Sequence, residues 1–320
     1  MLLSLMIPSY RRCDDLERCL TALKAQQRLP DQVIVVVRDT DLETQAFLAQ
    51  YNCDNLPIET ATVTRTGVVA AMNAGLGQVR GEILCLTDDD AVPYPDWLAR
   101  IEATFLQDDR IGGVGGKDWL YENGVLQTGE ARVVGKLQWF GRSIGNHHLG
   151  SGVAREVDLL KGVNMSLRRA AMGNLSFDER LLGTGAQVHF EMSLCLAIKR
   201  AGWRLIYDPQ IQVDHFRAQR FDEDQRNRFN PVANYNHVYN ETVVLLDHLS
   251  LFQRLVFGIW AMVIGTRAAR GIFQLLRFLP SEGAIALQRW QAATKGRWQA
   301  WWDWRRARSQ NQWSHSSEPV

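Results

Sequence analysis

An α/β fold with a largely parallel sheet is predicted by two features of the first third of the chain. Short apolar or β-branched runs alternate with segments of helical periodicity, and polar or acidic residues directly follow several of those runs. Repeated strand, helix, strand order implies a parallel sheet covered by helices on both faces. Ligands of such sheets lie beyond the carboxyl ends of the strands, where Ser9, Arg38, Asp39 and the triplet Asp88-Asp89-Asp90 all fall.

The first strand is Leu2 to Ile7, closed by Pro8, and Asp14 to Gln27 follows as a helix with Leu16, Cys19, Leu20 and Leu23 on one face. Val33 to Val37 is a β-branched strand, and Leu42 to Tyr51 again has a helical pattern. Strands at Leu56 to Glu59 and Glu82 to Thr87 flank a helix over Val68 to Leu76, and a helix over Pro95 to Gln107 follows. From Gly112 to about Gly152 the glycine-rich pattern predicts loops and irregular strands. A second organised block holds Lys161-Gly162-Val163-Asn164-Met165-Ser166 and a short helix near Arg168 to Met172. It continues with a helix from Val188 to Ala201 ended by Gly202, then strands at Trp203 to Tyr207 and Ile211 to His215.

The 320 residues, 46% hydrophobic, suffice for one large domain and an appendage. The net charge of +1 conceals an asymmetry: from Arg254 to Arg308 there are ten Lys or Arg against Glu282 and Asp303. Five scattered cysteines without metal-ligand spacing point to a reducing compartment, and the N-terminal run has no signal-peptide pattern.

Three adjacent carboxylates repel one another at the end of a buried strand unless a cation or polar ligand compensates. Mg2+ or Mn2+ prefers such oxygens and keeps positions open for nucleotide phosphates. The competing reading is a solvated acidic loop capping the helix from Pro95.

Five segments in order now resemble one family: Ile7-Pro8-Ser9-Tyr10-Arg11; Gly67 through Asn73 and Gly75; Gly81-Glu82-Ile83-Leu84 leading into Asp88-Asp89-Asp90; Gly162 through Ser166 with Phe177-Asp178-Glu179; and Glu191 through Gly202 to Pro209 and His215. Over roughly residues 3 to 216 the chain resembles family-2 glycosyltransferases of GT-A fold. That resemblance implies transfer of a sugar from a nucleoside-diphosphate sugar to an acceptor hydroxyl, with inversion at the anomeric carbon. It also implies the site. Asp90 and Asp88 match the metal-binding DxD motif, with Asp88 nearer the ribose or base and Asp89 able to exchange roles with either. His215 is a third candidate ligand. Pro8, Ser9, Tyr10, Arg11, Asp39, Arg65, Asn73, Asp88 and Asp89 are expected around the donor nucleotide. Glu191 falls on the catalytic base, while Phe190 replaces the first acid of the family's Glu-Asp pair. Arg11 and Val37-Arg38-Asp39 also depart from the usual pattern, which leaves the nucleobase open. The ordinary alternatives are a turn role for Asp39, a solvated Arg65, a helix-dipole role for Glu191 and a surface role for His215.

Leu255 to Gly265 is too short an apolar run to span a membrane. With Arg267, Arg270 and Arg277 beyond it, the segment resembles an interfacial amphipathic element. Trp290, Trp298, Trp301, Trp302, Trp304 and Trp313, interleaved with Lys295, Arg297, Arg305, Arg306 and Arg308, suit an anionic membrane surface. Packing onto the catalytic domain or a second subunit is the alternative, and no nucleic-acid partner is expected.

The expected architecture is therefore a GT-A domain over 1–235, divided into a nucleotide half (1–117) and an acceptor half (118–235), plus a helical extension over 236–320. The expected activity is metal-dependent, inverting hexosyl transfer in polysaccharide, glycolipid or lipid-linked oligosaccharide synthesis. The acceptor is a saccharide or lipid-linked molecule, and the location is cytoplasmic, peripheral on the membrane, with a homo-oligomer left open. A nucleotidyltransferase would carry a basic glycine-rich loop after the first strand, which Pro8-Ser9-Tyr10-Arg11 is not. A non-catalytic sugar-nucleotide binder is the other rival, distinguished by a turnover assay.

Overall fold

The computed structural model describes residues 1–226 and 228–309; Trp313 lies outside them. Contacts divide the chain into two units. The first comprises Met1–Leu137, Ser143–Phe177 and Leu194–Gln219, and the second Gln138–Arg142, Asp178–Ser193 and the chain from Arg220 onward. These do not follow the sequence boundaries at residues 117 and 235, because each unit is assembled from separated stretches of chain.

The first unit opens with β1 (Leu3–Ser9), α1 (Cys13–Lys24), β2 (Gln32–Arg38), α2 (Leu42–Gln50) and β3 (Ile58–Val63). It continues with α3 (Val68–Leu76), β4 (Ile83–Leu86), β5 (Ala91–Pro93), α4 (Trp97–Gln107) and β6 (Ile111–Glu122). Then come β7 (Val125–Leu126), β8 (Lys136–Leu137), β9 (Ser143–Ile144), β10 (Arg155–Val157), β11 (Met165–Arg168) and α5 (Arg169–Met172). The unit boundary passes through α6 (Phe190–Arg200), and β12 (Arg204–Phe216) completes the first unit. The main sheet has the order β10-β12-β6-β11-β4-β1-β2-β3, with β5 on β12 and β7 on β6. The β4-β1-β2-β3 half is parallel, and β11 runs antiparallel between β4 and β6. Val33 to Val37 is wholly buried, as a strand covered on both faces must be, and α1 turns Leu16, Cys19, Leu20 and Leu23 inward.

Two sequence expectations are corrected. The stretch from Gly112 read as irregular begins with β6, a twelve-residue strand inside the sheet. Its glycines serve close packing rather than looping: a Cβ on Gly116 would lie 1.8 Å from the Ile211 carbonyl oxygen of β12. The two strands expected at Trp203 to Tyr207 and Ile211 to His215 are one strand, β12, whose register against β6 shifts between Asp208 and Gln212. Asp208-Pro209 marks a bulge rather than an end.

The second unit is helical from α7 (Pro231–His248) through α8 (Leu251–Val263), α9 (Ile272–Glu282) and α10 (Ala284–Ser309). Asn230 caps α7 through its side chain, and Ser250 with Gln253 forms a capping box on α8. Ala286, Ala293, Ala300 and Ala307 recur every seventh residue on the buried face of α10. That small-residue seam lets α10 approach α7 closely: a Cβ on Gly296 would lie 2.8 Å from the Tyr235 carbonyl oxygen. Tyr239 donates to Asp303 and the Trp304 indole donates to Asp247 across the same contact. Trp304 is thus a packing residue, whereas Trp298 and Trp302 are exposed.

Candidate active site

The β4 strand is apolar and buried through Leu86, and the chain then turns at Asp88-Asp89-Asp90 before β5 begins at Ala91. Asp89 is fixed in the interior. Its carboxylate accepts from Ser9 Oγ at 2.8 Å, at the end of β1, and from the Arg12 guanidinium at 2.8 Å. Burial and the neighbouring Asp90 push the Asp89 carboxyl up to about 7 despite those partners, and burial raises Asp88 as well, with Asp90 adding to it. Asp89 therefore acts as the internal anchor of the turn, with Asp88 half-buried and Asp90 buried on either side of it.

Asp90 uses Oδ2 to accept the Ala218 N–H at 2.9 Å, while Oδ1 is buried without a hydrogen bond. Facing it at 3.4 Å is His215 Nε2, likewise buried without a hydrogen bond. β12 delivers this imidazole by pairing with β5, which sets His215 opposite Ala91. On its other side His215 Nδ1 lies 3.4 Å from Asp118 Oδ2, an oxygen that also pairs with the Lys161 ammonium. Burial alone would lower the His215 pKa, but Asp118 and Asp90 outweigh it and hold the value above normal. Burial likewise opposes ionisation of Asp90 and Asp118. The His215 contact and the Ala218 N–H for Asp90, and Lys161 with His215 for Asp118, hold both carboxyls well below their usual range.

Ligand atoms of Asp88, Asp90 and His215 all lie within 4.8 Å of one another. Two donors each about 2.1 Å from a common ion at a right angle stand about 3 Å apart, so the 3.4 Å pair needs only a small adjustment. Two hard oxygens and one imidazole suit Mn2+ or Mg2+. A protonated imidazole pairs with Asp90 across this gap; with the imidazole neutral, the buried oxygen and nitrogen face each other in an arrangement a divalent ion would satisfy.

Around this cluster the other predicted residues take varied places. Pro8 pairs with Val36 within the sheet. Tyr10 carries the guanidinium of Arg11 at 5.1 Å and that of Arg38 at 5.7 Å from its ring, a cationic aromatic platform beyond β1 and β2. Asp39 is exposed in the turn after β2, as its turn reading expects, and Asp41 beyond it accepts from the Arg11 N–H and caps α2. Arg65 is exposed between β3 and α3. Asn73 directs both ends of its amide to the Phe177 backbone, at 2.9 Å each, and so fixes the chain just before Asp178.

In the second unit Glu191 is half-buried in the first turn of α6, which starts at Phe190 rather than Val188. His189, at φ 75°, leads into that turn with its ring nitrogen 3.3 Å from His237. Burial, reinforced by His237, drives the His189 pKa well below normal. Arg12, Asp41, Asp118 and Lys161 were not anticipated as part of this neighbourhood. Asp118 was hidden in the stretch read as loop. Lys161 heads the block that runs to Ser166, and that place is its one signal in the sequence.

A family model described as "Glycosyltransferase like family 2" matches residues 2–234. Glycosyltransferase AglE of Haloferax volcanii is 25% identical over 265 residues, covering 81% of this chain and 80% of that protein. The crystal structure of S. aureus TarS 1–349 in complex with UDP-GlcNAc is similar with a TM-score of 0.57 at 14% identity, over 98% of this chain and 93% of that one. The mannosyltransferase PcManGT from Pyrobaculum calidifontis, in complex with GDP-Man and Mn2+, gives a TM-score of 0.52 at 16% identity, over 98% and 88%.

Proposed function

From the premise that the chain belongs to glycosyltransferase family 2 and adopts the GT-A fold, we propose that it is a metal-dependent, inverting hexosyltransferase using a nucleoside-diphosphate sugar. The observation that carries the metal dependence is the buried pair Asp90 Oδ1 and His215 Nε2, with Asp88 beside it. Mn2+ or Mg2+ held by Asp88, Asp90 and His215 would neutralise the charge that develops on the diphosphate leaving group.

The chain's own residues do the rest. Ser9 and Arg12 clamp Asp89 in the interior, and the turn carries Asp88 and Asp90 on either side of it. Asp118 orients His215 and fixes which ring nitrogen faces Asp90. The Tyr10 platform with Arg11 and Arg38 supports the nucleotide, joined by Pro8, Asp39 and Arg65; Asn73 contributes by holding the Phe177 backbone. The solved neighbours were captured with UDP-GlcNAc in one case and GDP-Man in another, so the base follows from neither. Glu191 accepts the proton of the acceptor hydroxyl as that oxygen bonds to the anomeric carbon and the bond to the diphosphate oxygen breaks. Attack opposite the leaving group inverts the configuration. The acceptor belongs to polysaccharide, glycolipid or lipid-linked oligosaccharide synthesis at the cytoplasmic face of a membrane. In support, the C-terminal helices are basic: from Arg254 to Arg308 ten Lys or Arg stand against Glu282 and Asp303.

A thermal-shift screen of nucleoside diphosphates with and without Mn2+ tests this reading. One nucleotide should raise the melting temperature of the parent only with metal, and Asp90→Ala should abolish that increment while its own unliganded transition remains cooperative. An undiminished metal-dependent increment in Asp90→Ala would sink the proposed centre.

A further inference from the structure

We propose that the α8–α9 hairpin, rather than the Trp-rich α10, is the surface by which this protein docks on an anionic membrane. The inference deepens the membrane-acceptor reading above, and it rests on exposure, spacing and charge within the second unit.

On α8 the residues Leu251, Leu255, Ile259, Met262 and Val263 form one helical stripe, and all are exposed, Leu251 by 80%. On α9 the stripe is Ile272, Phe273, Leu276 and Leu279, with Phe273 60% and Leu276 62% exposed, and α9 buries no residue at all. Helices that pack only into their own domain do not present two such stripes in succession. Trp139 extends the apolar surface beside α8: it is exposed, and its carbonyl accepts from Gln253 at 3.0 Å. Tryptophan at such an edge suits the headgroup zone.

The turn between the helices is held rigidly. Arg297 donates to the carbonyls of Ala269 and Arg270 at 2.6 and 2.9 Å, and Arg270 pairs with both oxygens of Glu282 at 2.8 Å. Ile264 and Arg267 are thereby displayed at a fixed, exposed tip.

Charge selects the occupant. Between Asp247 and Glu282 the sequence has no acidic residue, while exposed Arg267 and Arg277 lie on the hairpin and exposed Arg142 lies near Trp139. A hydrophobic surface fringed by one sign of charge complements anionic lipid, and this basic fringe would oppose a second copy meeting the same surface. On α10, by contrast, Trp304 and the alanine seam are packed within the unit, and the exposed Trp298 and Trp302 stand apart from the exposed Ile285 and Leu287 at the start of the helix rather than forming one apolar stripe.

The test is co-sedimentation of the full chain with vesicles of phosphatidylcholine alone or mixed equally with phosphatidylglycerol. The parent should bind the mixed vesicles. Phe273→Gln with Leu276→Gln should lower partitioning at least about tenfold, since each side chain loses burial worth that order. Arg267→Gln with Arg277→Gln should lower it roughly tenfold on mixed vesicles only. Trp298→Gln with Trp302→Gln should stay within about twofold of the parent. Circular dichroism and the metal-dependent nucleotide thermal shift should be unchanged in all three, which separates failure of the docking surface from failure of the catalytic reading. Parent-like binding by the Phe273/Leu276 variant, loss of binding by the Trp298/Trp302 variant, or no binding by the parent would overturn the proposal. So would light scattering that shows a lipid-free dimer converted to monomer by the Phe273/Leu276 variant, for then the stripes face a second copy.

Discussion

Replacing Asp118 with Asn probes the site through a residue that need not touch either substrate. Asp118 is fully buried, and its Oδ2 serves both the Lys161 ammonium and, at 3.4 Å, the Nδ1 of His215. Asparagine keeps the volume and an acceptor oxygen but removes the charge that fixes the imidazole. Loss of such an orienting partner typically weakens a metal site about 10–100-fold, or about 1.4–2.7 kcal/mol. The fold should lose less than the about 3–5 kcal/mol of a fully buried broken pair, because the Lys161 side chain is 28% exposed and its ammonium can turn to water. We expect about 2 kcal/mol. Calorimetric titration of Mn2+ in the presence of nucleotide reads the first quantity, and chemical denaturation the second. Protons compete with metal for His215, and Asp118 strengthens that competition in the parent by raising the histidine pKa. The parent should therefore gain more affinity than the variant as pH rises, widening the gap. Equal affinities across the pH range would refute the assignment of His215 as an oriented ligand.

Glu191→Gln should leave nucleotide and metal binding nearly intact while lowering turnover by about 10²–10⁴-fold, measured by donor consumption with acceptor present; near-native turnover would turn attention to Asp178, Glu179 or Asp214 as base. Gly116→Ala should destabilise the fold by about 3 kcal/mol in denaturant titration, since its methyl would collide with a backbone oxygen rather than a movable side chain. His147 is buried with Nε2 2.9 Å from the Leu159 carbonyl, and burial pulls its pKa down to about 4. The unfolded chain therefore binds a proton that the native state refuses between about pH 6.5 and 4, so stability falls as pH drops through that window, by about 2 kcal/mol at pH 5. His147→Gln should flatten that part of the stability profile, and an unchanged slope would count against the burial argument.

Much of the parallel half of the sheet was legible because burial on both faces forces uninterrupted β-branched runs, as in Val33 to Val37, and helices on the same half declare themselves by Leu16, Cys19, Leu20 and Leu23. The acidic triplet was equally visible, since three adjacent carboxylates at the end of a buried strand demand compensation. The other half was obscured by a single ambiguity: glycine signals a loop by its freedom and a tight interior contact by its lack of a side chain, and in β6 the second meaning holds. Asp118 was lost with it. Pairing of distant residues was the other gap. Nothing in linear order shows that Ser9 and Arg12 converge on Asp89, or that Asn73 holds Phe177, because those hydrogen bonds exist only once the sheet has closed.

The placement of His215 opposite Ala91 orders events in time as well as in space. A ribosome releases the carboxylates of Asp88 and Asp90 long before it reaches the histidine, and a nascent chain ending anywhere between them holds two of the three proposed ligands and lacks the third. Only when the last long strand docks along β5 and β6 does the imidazole meet its partners, which are separated from it by more than a third of the sequence. Such distant closure is slow compared with the local helices. On the proposed function, an ion held by the finished trio would lend its binding energy to that final docking, and metal availability would become a term in how firmly the last strand of the sheet is held.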